Sequence, residues 1–300
     1  MAQTELLNNP TVELPTVAAP ASPMRKALRR FRRHRLAMIG VVIIVVLVVA
    51  ALLGSTQAAL TQSLKDANKP PSLQHPFGTD RTGRDVFART LVGGRVSLSV
   101  GLVAVLFSTL IGTTLGALAG YRRGWVDAAI MRFVDMVMSF PVIVLLLCVV
   151  AIVGPGIFKI MVMIGLLTWT TPCRIVRAQF LSLREKEYVE AARCVGMTDL
   201  DVARKHILPN AIAPLLVYAS FGVATAVLLE AGLSYLGLGV QPPTPSWGNM
   251  LNTARSITTM ERAPWQWVPP AITTVLFVLA VNFVGDGIRD ALDPRTLFEK

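Results

Sequence analysis

Charge is scarce in this chain. Only 16% of its 300 residues are Asp, Glu, Lys or Arg, 53% are hydrophobic, and the mean hydropathy is +0.56. That balance lies outside the range of a soluble globular domain and places the chain in a membrane. Cysteine is scarce too. Cys148, Cys173 and Cys194 stand at spacings that match no ligand pattern, so neither a disulfide nor a metal site is expected. The three histidines, His34, His75 and His206, are too dispersed to form a ligand cluster from neighbouring sequence. A G-x-x-x-x-G-K-[ST] phosphate loop is absent, and the glycine-containing stretch GTDRTGRD lacks its Lys-Ser/Thr ending. Ionisable residues at mid-span are almost absent: Asp135 and Asp286 fall in terminal turns, so no proton relay crosses the midplane.

What remains is positive. The net charge is +11, yet the basic residues flank apolar runs instead of clustering on a polar face, so lipid orientation explains them better than nucleic acid does. RKALRRFRRHR precedes LAMIGVVIIVVLVVAALL, which is as long as a membrane span and ends in no small-residue cleavage site. It reads as a retained anchor. Residues 1–24, polar and carrying Pro10, Pro15, Pro20 and Pro23, read as a disordered tail.

Runs able to cross about 30 Å of hydrocarbon occur at Leu36–Leu53, Leu98–Ala119, Phe133–Val153, Ala211–Leu229 and Val268–Ile288. A shorter sixth, Ile157–Thr171, carries Lys159. If it crosses, twenty of the 29 Lys and Arg residues fall on the inner side; if it does not, Pro172–Asn210 with its basic residues is forced outside. The expectation is therefore an all-α polytopic protein of six transmembrane helices, with both termini in the cytoplasm. Its parts are a basic flank and first span over 25–54, an outer loop with an amphipathic segment over 55–97, a five-span core over 98–288 that includes a cytoplasmic loop at 183–210, and a tail over 289–300. Gly112, Gly116 and Gly120 form a small-xxx-small pattern suited to close helix contact. Pro141 and Pro214 remove intrahelical hydrogen bonds.

The stretch EAARCVGMTDLDVARKHILPN, Glu190 to Asn210, is charged and lies between two apolar runs. LREKEYVEAARCVG reads as a short helix stopped by Gly196 in a left-handed position, and Thr198 caps a second helix that Leu208-Pro209-Asn210 ends. Ala191 and Ala192 allow a partner backbone close, while Glu190 and Arg193 offer charges. By residues alone this is either a docking hairpin or an amphipathic hairpin whose basic side chains reach the headgroups. Arg81, Arg84 and Arg89, alternating with Val86, Phe87 and Leu91, read as an amphipathic surface helix or a contact for a partner protein. Glu230, about 30 Å along the helix from Asn210, falls at the outer face. The following Pro-rich loop, with Ser234 before it and Trp247 within it, reads either as a roof over a pathway that meets a partner or as an ordinary connection with an interfacial aromatic anchor.

EAA, then Gly196, then the closing Leu208-Pro209 resembles the coupling loop of permease subunits of binding-protein-dependent ABC importers. His206 stands where the general pattern has isoleucine, as in the peptide-transporter branch. HPFGTDRTGRDVFARTLVGGRVSLSVG, EAGLSYLGLGVQPPTPSWGNML and LDPR resemble the C-type subunit of dipeptide and oligopeptide permeases, and the likeness runs from about residue 25 to the end. The resemblance implies a type I ABC importer permease fold in the bacterial inner membrane, with Glu190, Ala191, Ala192, Arg193, Gly196, His206, Leu208 and Pro209 coupling to ATPase subunits. It implies a B-type second permease, two ATP-binding subunits and an extracytoplasmic solute-binding protein as partners. No cofactor is expected on this chain, ATP and Mg belonging to partner subunits, and neither nucleic acid nor chemistry is expected of it. Glu230, Ser234 and Trp247 are candidates for the pathway or the binding-protein contact. Nickel complexes or another non-peptide solute are the alternative cargo. An ion-coupled carrier would want charged groups at mid-depth and repeated broken helices, and an intramembrane enzyme a paired nucleophile and base.

Overall fold

The computed structural model describes residues 23–292, and every named element among them is helical. The expected tails at 1–24 and 289–300 lie largely outside those residues. The basic cluster forms α1 (Pro23–Arg33), and the anchor forms α2 (Arg35–Leu53). His34 caps α2 by accepting from Ala37 N–H at 3.0 Å through Nδ1, while its Nε2 lies 3.4 Å from Asp290. Leu36, Ile39, Val42, Val45 and Val46 of α2 are all exposed, as expected of a helix whose outer face meets lipid.

A short α3 (Thr56–Leu60) and a folded loop lead to α4 (Val86–Arg122), around which the rest is arranged: α2, α7 (Ile157–Thr168), α8 (Thr170–Leu183) and α11 (Leu208–Tyr235) all pack on it. Gly112, Gly116 and Gly120 are the seam with α8. A Cβ at Gly116 would come within 2.4 Å of the Cys173 carbonyl oxygen, and one at Gly112 within 2.7 Å of the Trp169 oxygen. The small-residue stripe thus brings backbone against backbone. The main core joins Val100 and Ala104 of α4, Leu146 of α6 (Val142–Val153), Ile160 and Ile164 of α7, and Leu233 of α11. After α13 (Ile257–Arg262), the described residues close with α14 (Val268–Leu292), packed on α2 and α11.

Five helical stretches are long and apolar enough to cross a bilayer: Arg35–Leu53, Val86–Arg122, Ile157–Leu183, Asp199–Tyr235 and Val268–Leu292. The weakest expected span, Ile157–Thr171, is therefore a helix that runs on through α8. Its Lys159 donates to the Val153 carbonyl at 2.7 Å and so caps the preceding helix. The expected span Phe133–Val153 is instead broken. Here α5 (Gly124–Met138) and α6 meet at 84° across Ser139–Pro141, and only as one bent pair do they make a sixth span. Proline supplies no N–H and disfavours helix at the residue before it, Phe140, which accounts for the break. Pro214, by contrast, sits inside α11 without ending it.

The second correction concerns the start of α4. The helix begins at Val86 with Asp85 as its N-cap, well before Leu98, and Val86, Ala88, Arg89 and Thr90 are buried. The segment is no amphipathic surface helix. Arg89 is 5% exposed, lies 3.6 Å from the Asp80 carboxylate and donates to the Ala59 carbonyl. Asp80 also accepts from the Thr82 and Arg84 N–H groups and from Arg84 Nε at 2.7 Å. Burial pushes its carboxyl up, and the hydrogen bonds from Arg84 and Thr82 with the Arg84 charge outweigh that, leaving it below the usual carboxylate range. A second loop closes over this one: Trp265 Nε1 and Gln266 Nε2 both donate to the Thr79 carbonyl at 3.2 Å.

Candidate functional site

The charged loop between the apolar helices is two short helices joined by a defined turn. Glu187–Cys194 forms α9, and Asp199–Val202 forms α10. Between them the Met197 N–H bonds to the Ala192 carbonyl at 3.2 Å and the Gly196 N–H to the Arg193 carbonyl at 2.9 Å. Those are the two bonds of a Schellman motif, with Gly196 at its left-handed position, φ +87°. A Cβ at Gly196 would meet nothing within 4 Å, so backbone conformation alone asks for glycine there. Thr198 then caps α10 by accepting from Asp201 N–H.

The inner face of the hairpin is clamped. Val189 and Ala192 of α9, Val202 of α10 and Ile207 bury against Val176 and Phe180 of α8, with Met197, Leu208 and Tyr121 packed around them. Val189, Val202 and Ile207 are fully buried, each contributing about 1.5–3 kcal/mol. The expected stop at Leu208-Pro209-Asn210 is not a stop. A π-helical turn, Ala203–Ile207, carries α10 straight into α11, with Leu208 N–H bonding to Ala203 O and Pro209 in the first turn, where a missing N–H is harmless. Asn210 Nδ2 donates to the His206 carbonyl at 2.7 Å across that junction.

The outer face of the hairpin is uncovered and mixes large apolar side chains with charged ones: Tyr188 is 43%, Leu200 65% and Val195 85% exposed, and Glu187, Asp199 and Lys205 are exposed with them. Glu190 and Ala191 are exposed beside them, and Pro209 is exposed while His206 and Leu208 are half-buried. Arg193, expected to offer its charge to a partner, is turned toward this chain. Its guanidinium lies over the Tyr121 ring, 5.9 Å from the centroid, as does that of Arg184, whose Nη1 also donates to the Tyr121 carbonyl at 2.8 Å. Tyr121, at the end of α4, is thus the joint of the whole corner. Nearby, Glu185 pairs with Arg123, which holds its exposed carboxyl below the usual range.

At the opposite end of α11, Glu230, Ser234 and Trp247 are 0%, 2% and 1% exposed, so none offers a surface to a solute or partner in this conformation. They form a lock. Glu230 accepts from Ser97 Oγ at 3.1 Å, Ser234 Oγ at 2.7 Å and Ser246 Oγ at 2.9 Å. Each serine oxygen in turn accepts a backbone N–H from the loop: Trp247 to Ser97, Val240 to Ser234, Asn249 to Ser246. The loop and α12 (Trp247–Leu251) are thereby tied to α4 and α11 through one carboxylate.

The family of binding-protein-dependent transport system inner membrane components matches residues 112–298, and the N-terminal TM domain of oligopeptide transport permease C matches residues 22–71. This chain belongs to that permease family. A Brucella suis chain provisionally named a peptide permease protein is 47% identical over 283 residues, covering 93% of this chain and 94% of that one. The dipeptide transport system permease protein DppC of Alkalihalophilus pseudofirmus and the glutathione transport system permease protein GsiD of Escherichia coli strain 536 are each 41% identical over 278 residues. They cover 91% of this chain and 90% and 91% of their own lengths. A chain of the MetNI methionine ABC transporter, solved in inward-facing conformations, shares the fold with a TM-score of 0.52 at 20% identity, covering 68% of this chain and 97% of its own. The protein is a multi-pass inner-membrane permease of the ABC importer type.

Sequence reading singled out the Glu190–Pro209 hairpin but missed what holds it. Tyr121, Ser97, Ser246 and the α5–α8 pairs are all long-range partners. Arg177 grips Asp127 through Nε and, at 2.6 Å, Nη2, and Arg174 pairs with Asp135. The one local signal was the run of Arg174 and Arg177 on one face of a helix, three residues apart, opposite the acids of α5. No group of residues able to hold a metal ion occurs among the described residues.

Proposed function

We propose that this permease forms one half of a peptide pathway and that residues 183–210 seat it on an ATP-hydrolysing subunit. The observation that carries the reading is the hairpin's two-sidedness. Its inner face is locked to α4 and α8 by the apolar cluster, while Tyr188, Val195 and Leu200 stand uncovered on the other face. A rigid element whose uncovered surface joins large apolar side chains to the exposed acids Glu187, Glu190 and Asp199 is suited to a cleft in another protein, whereas those acids oppose seating on anionic headgroups. Because α10 continues through the π-turn into α11, displacement of the hairpin is delivered directly to that span. The relatives' names, peptide, dipeptide and glutathione permease, support a peptide cargo. The complex we propose holds a second, B-type permease, two ATP-binding subunits that carry ATP and Mg, and an extracytoplasmic solute-binding protein. Positive charge distribution supports cytoplasmic termini.

The test is site-specific crosslinking in the assembled complex. Leu200→Cys is expected to crosslink to an ATP-binding subunit, and Val46→Cys on α2 is not. Absence of any Leu200 crosslink while the complex remains intact contradicts the seat.

A further inference from the structure

A cavity of about 370 Å³ opens where the helices break. It lies between the α5–α6 bend, with Met138, Phe140 and Val142 on its wall, and the α7–α8 junction, with α4 and α11 completing it. Tyr218 and Leu229 bound it along α11, roughly 15 to 30 Å from the start of that helix, so it spans from mid-depth to the far end of that span. Irregular backbone at that depth is tolerated where it is buried in protein or faces a wetted cavity. Phe140, 56% exposed, lies in the bend itself and on the cavity wall, so the bend opens onto this cavity.

None of the residues lining this cavity is charged. Its polar groups are hydroxyls, and four of them have a fixed hydrogen-bond role. Ser108 Oγ donates to the Val105 carbonyl at 3.1 Å, Thr168 Oγ1 to Ile164 at 2.7 Å, Thr225 Oγ1 to Phe221 at 3.1 Å, and Tyr218 Oη to Thr168 at 3.2 Å. A hydroxyl has one proton and two lone pairs. With their protons committed to main-chain carbonyls, Thr168 and Thr225 present acceptor oxygens to the cavity, whereas the Tyr218 oxygen is already met by the buried Ser108 hydroxyl.

Resting on the peptide-importer reading, we propose that this cavity is a section of the solute path, recognising N–H donors of a passing peptide, its α-ammonium first, through neutral acceptors. Such a lining suits transit. A carboxylate at this depth would hold the ammonium tightly and have to be left again, whereas neutral hydroxyl oxygens offset part of the lost hydration and release it readily. The wall away from the hydroxyls is apolar, including Phe140 and Phe221, and accepts side chains without reading them.

The experiment uses the complete complex in proteoliposomes with radiolabelled di- to pentapeptides bearing free amino termini. Wild-type ATP-dependent uptake is the control for the reading itself; if it is absent, the reading and the inference fall together. Given uptake, photoreactive p-benzoylphenylalanine at Thr225 is expected to label the peptide and the same group at Val46 is not. Thr168→Val and Thr225→Val, nearly isosteric and lacking only the oxygen, are expected to lower uptake about fivefold each, the worth of one neutral hydrogen bond. Thr225→Ser restores it. Wild-type uptake by the Thr168→Val/Thr225→Val double variant, or equal labelling from Thr225 and Val46, overturns the inference and leaves the peptide-importer reading standing.

Discussion

The Tyr121 hydroxyl donates to Asp199 Oδ1, joining the end of α4 to the first turn of α10 across 78 residues of chain. The bond sits at the surface, so its own worth is below about 1 kcal/mol. Its value is positional. Tyr121→Phe is expected to leave the melting temperature of the purified complex nearly unchanged while lowering uptake per ATP hydrolysed several-fold. Tyr121→Ala, which also removes the ring between Arg184 and Arg193, is expected to lower both. Unchanged coupling in Tyr121→Ala would show that the corner is not a mechanical joint.

Gly196→Val places a β-branched residue at φ +87°. The open space around it rules out a clash, so the cost is conformational, of order 1–3 kcal/mol. The Schellman turn reopens and α9 loses its fixed angle to α10. ATP-driven uptake is expected to be lost with membrane insertion intact, and Gly196→Asn, which tolerates the left-handed region, is expected to retain most of it. Equal uptake in both variants would refute the conformational argument.

Glu230→Ala leaves three serine hydroxyls without their shared acceptor and a void beneath α12. The expected loss is about 2–4 kcal/mol, read as lowered thermal stability of the detergent-solubilised protein. Glu230→Gln keeps one acceptor oxygen and the volume, so its loss is expected to be smaller. An alanine variant as stable as wild type would remove the lock.

Asp80 gives a pH test. Its folded pKa lies below the ordinary 3.8, so the stabilisation is present above that value and is lost as pH falls through the folded pKa. Asp80→Asn is therefore expected to melt lower than wild type at pH 7, and the gap is expected to shrink below about pH 4. A gap that persists unchanged in acid would assign the effect to shape instead of charge.

Local signals were legible in the sequence and distant ones were not. Gly196 and Thr198 announced the turn and cap because those motifs span fewer than eight residues. The Gly112–Gly120 stripe announced a close helix pair without naming α8 as the partner. Pro141 raised the question of a break, yet hydropathy averaged across it and suggested one span. Proline-209 suggested a helix end because a π-turn that absorbs it leaves no compositional trace. Arg89 looked like a surface residue because its cover, Asp80 and the loop carrying Ala59, depends on tertiary folding. The Glu230 lock draws on Ser97 and Ser246, and no spacing rule links the three.

The central claim, that this chain is a passive gate moved by another polypeptide, is tested most directly by solute uptake into proteoliposomes with and without the ATP-binding subunits. Peptide accumulation is expected only when those subunits and ATP are both present. Accumulation driven by an ion gradient in their absence would contradict it.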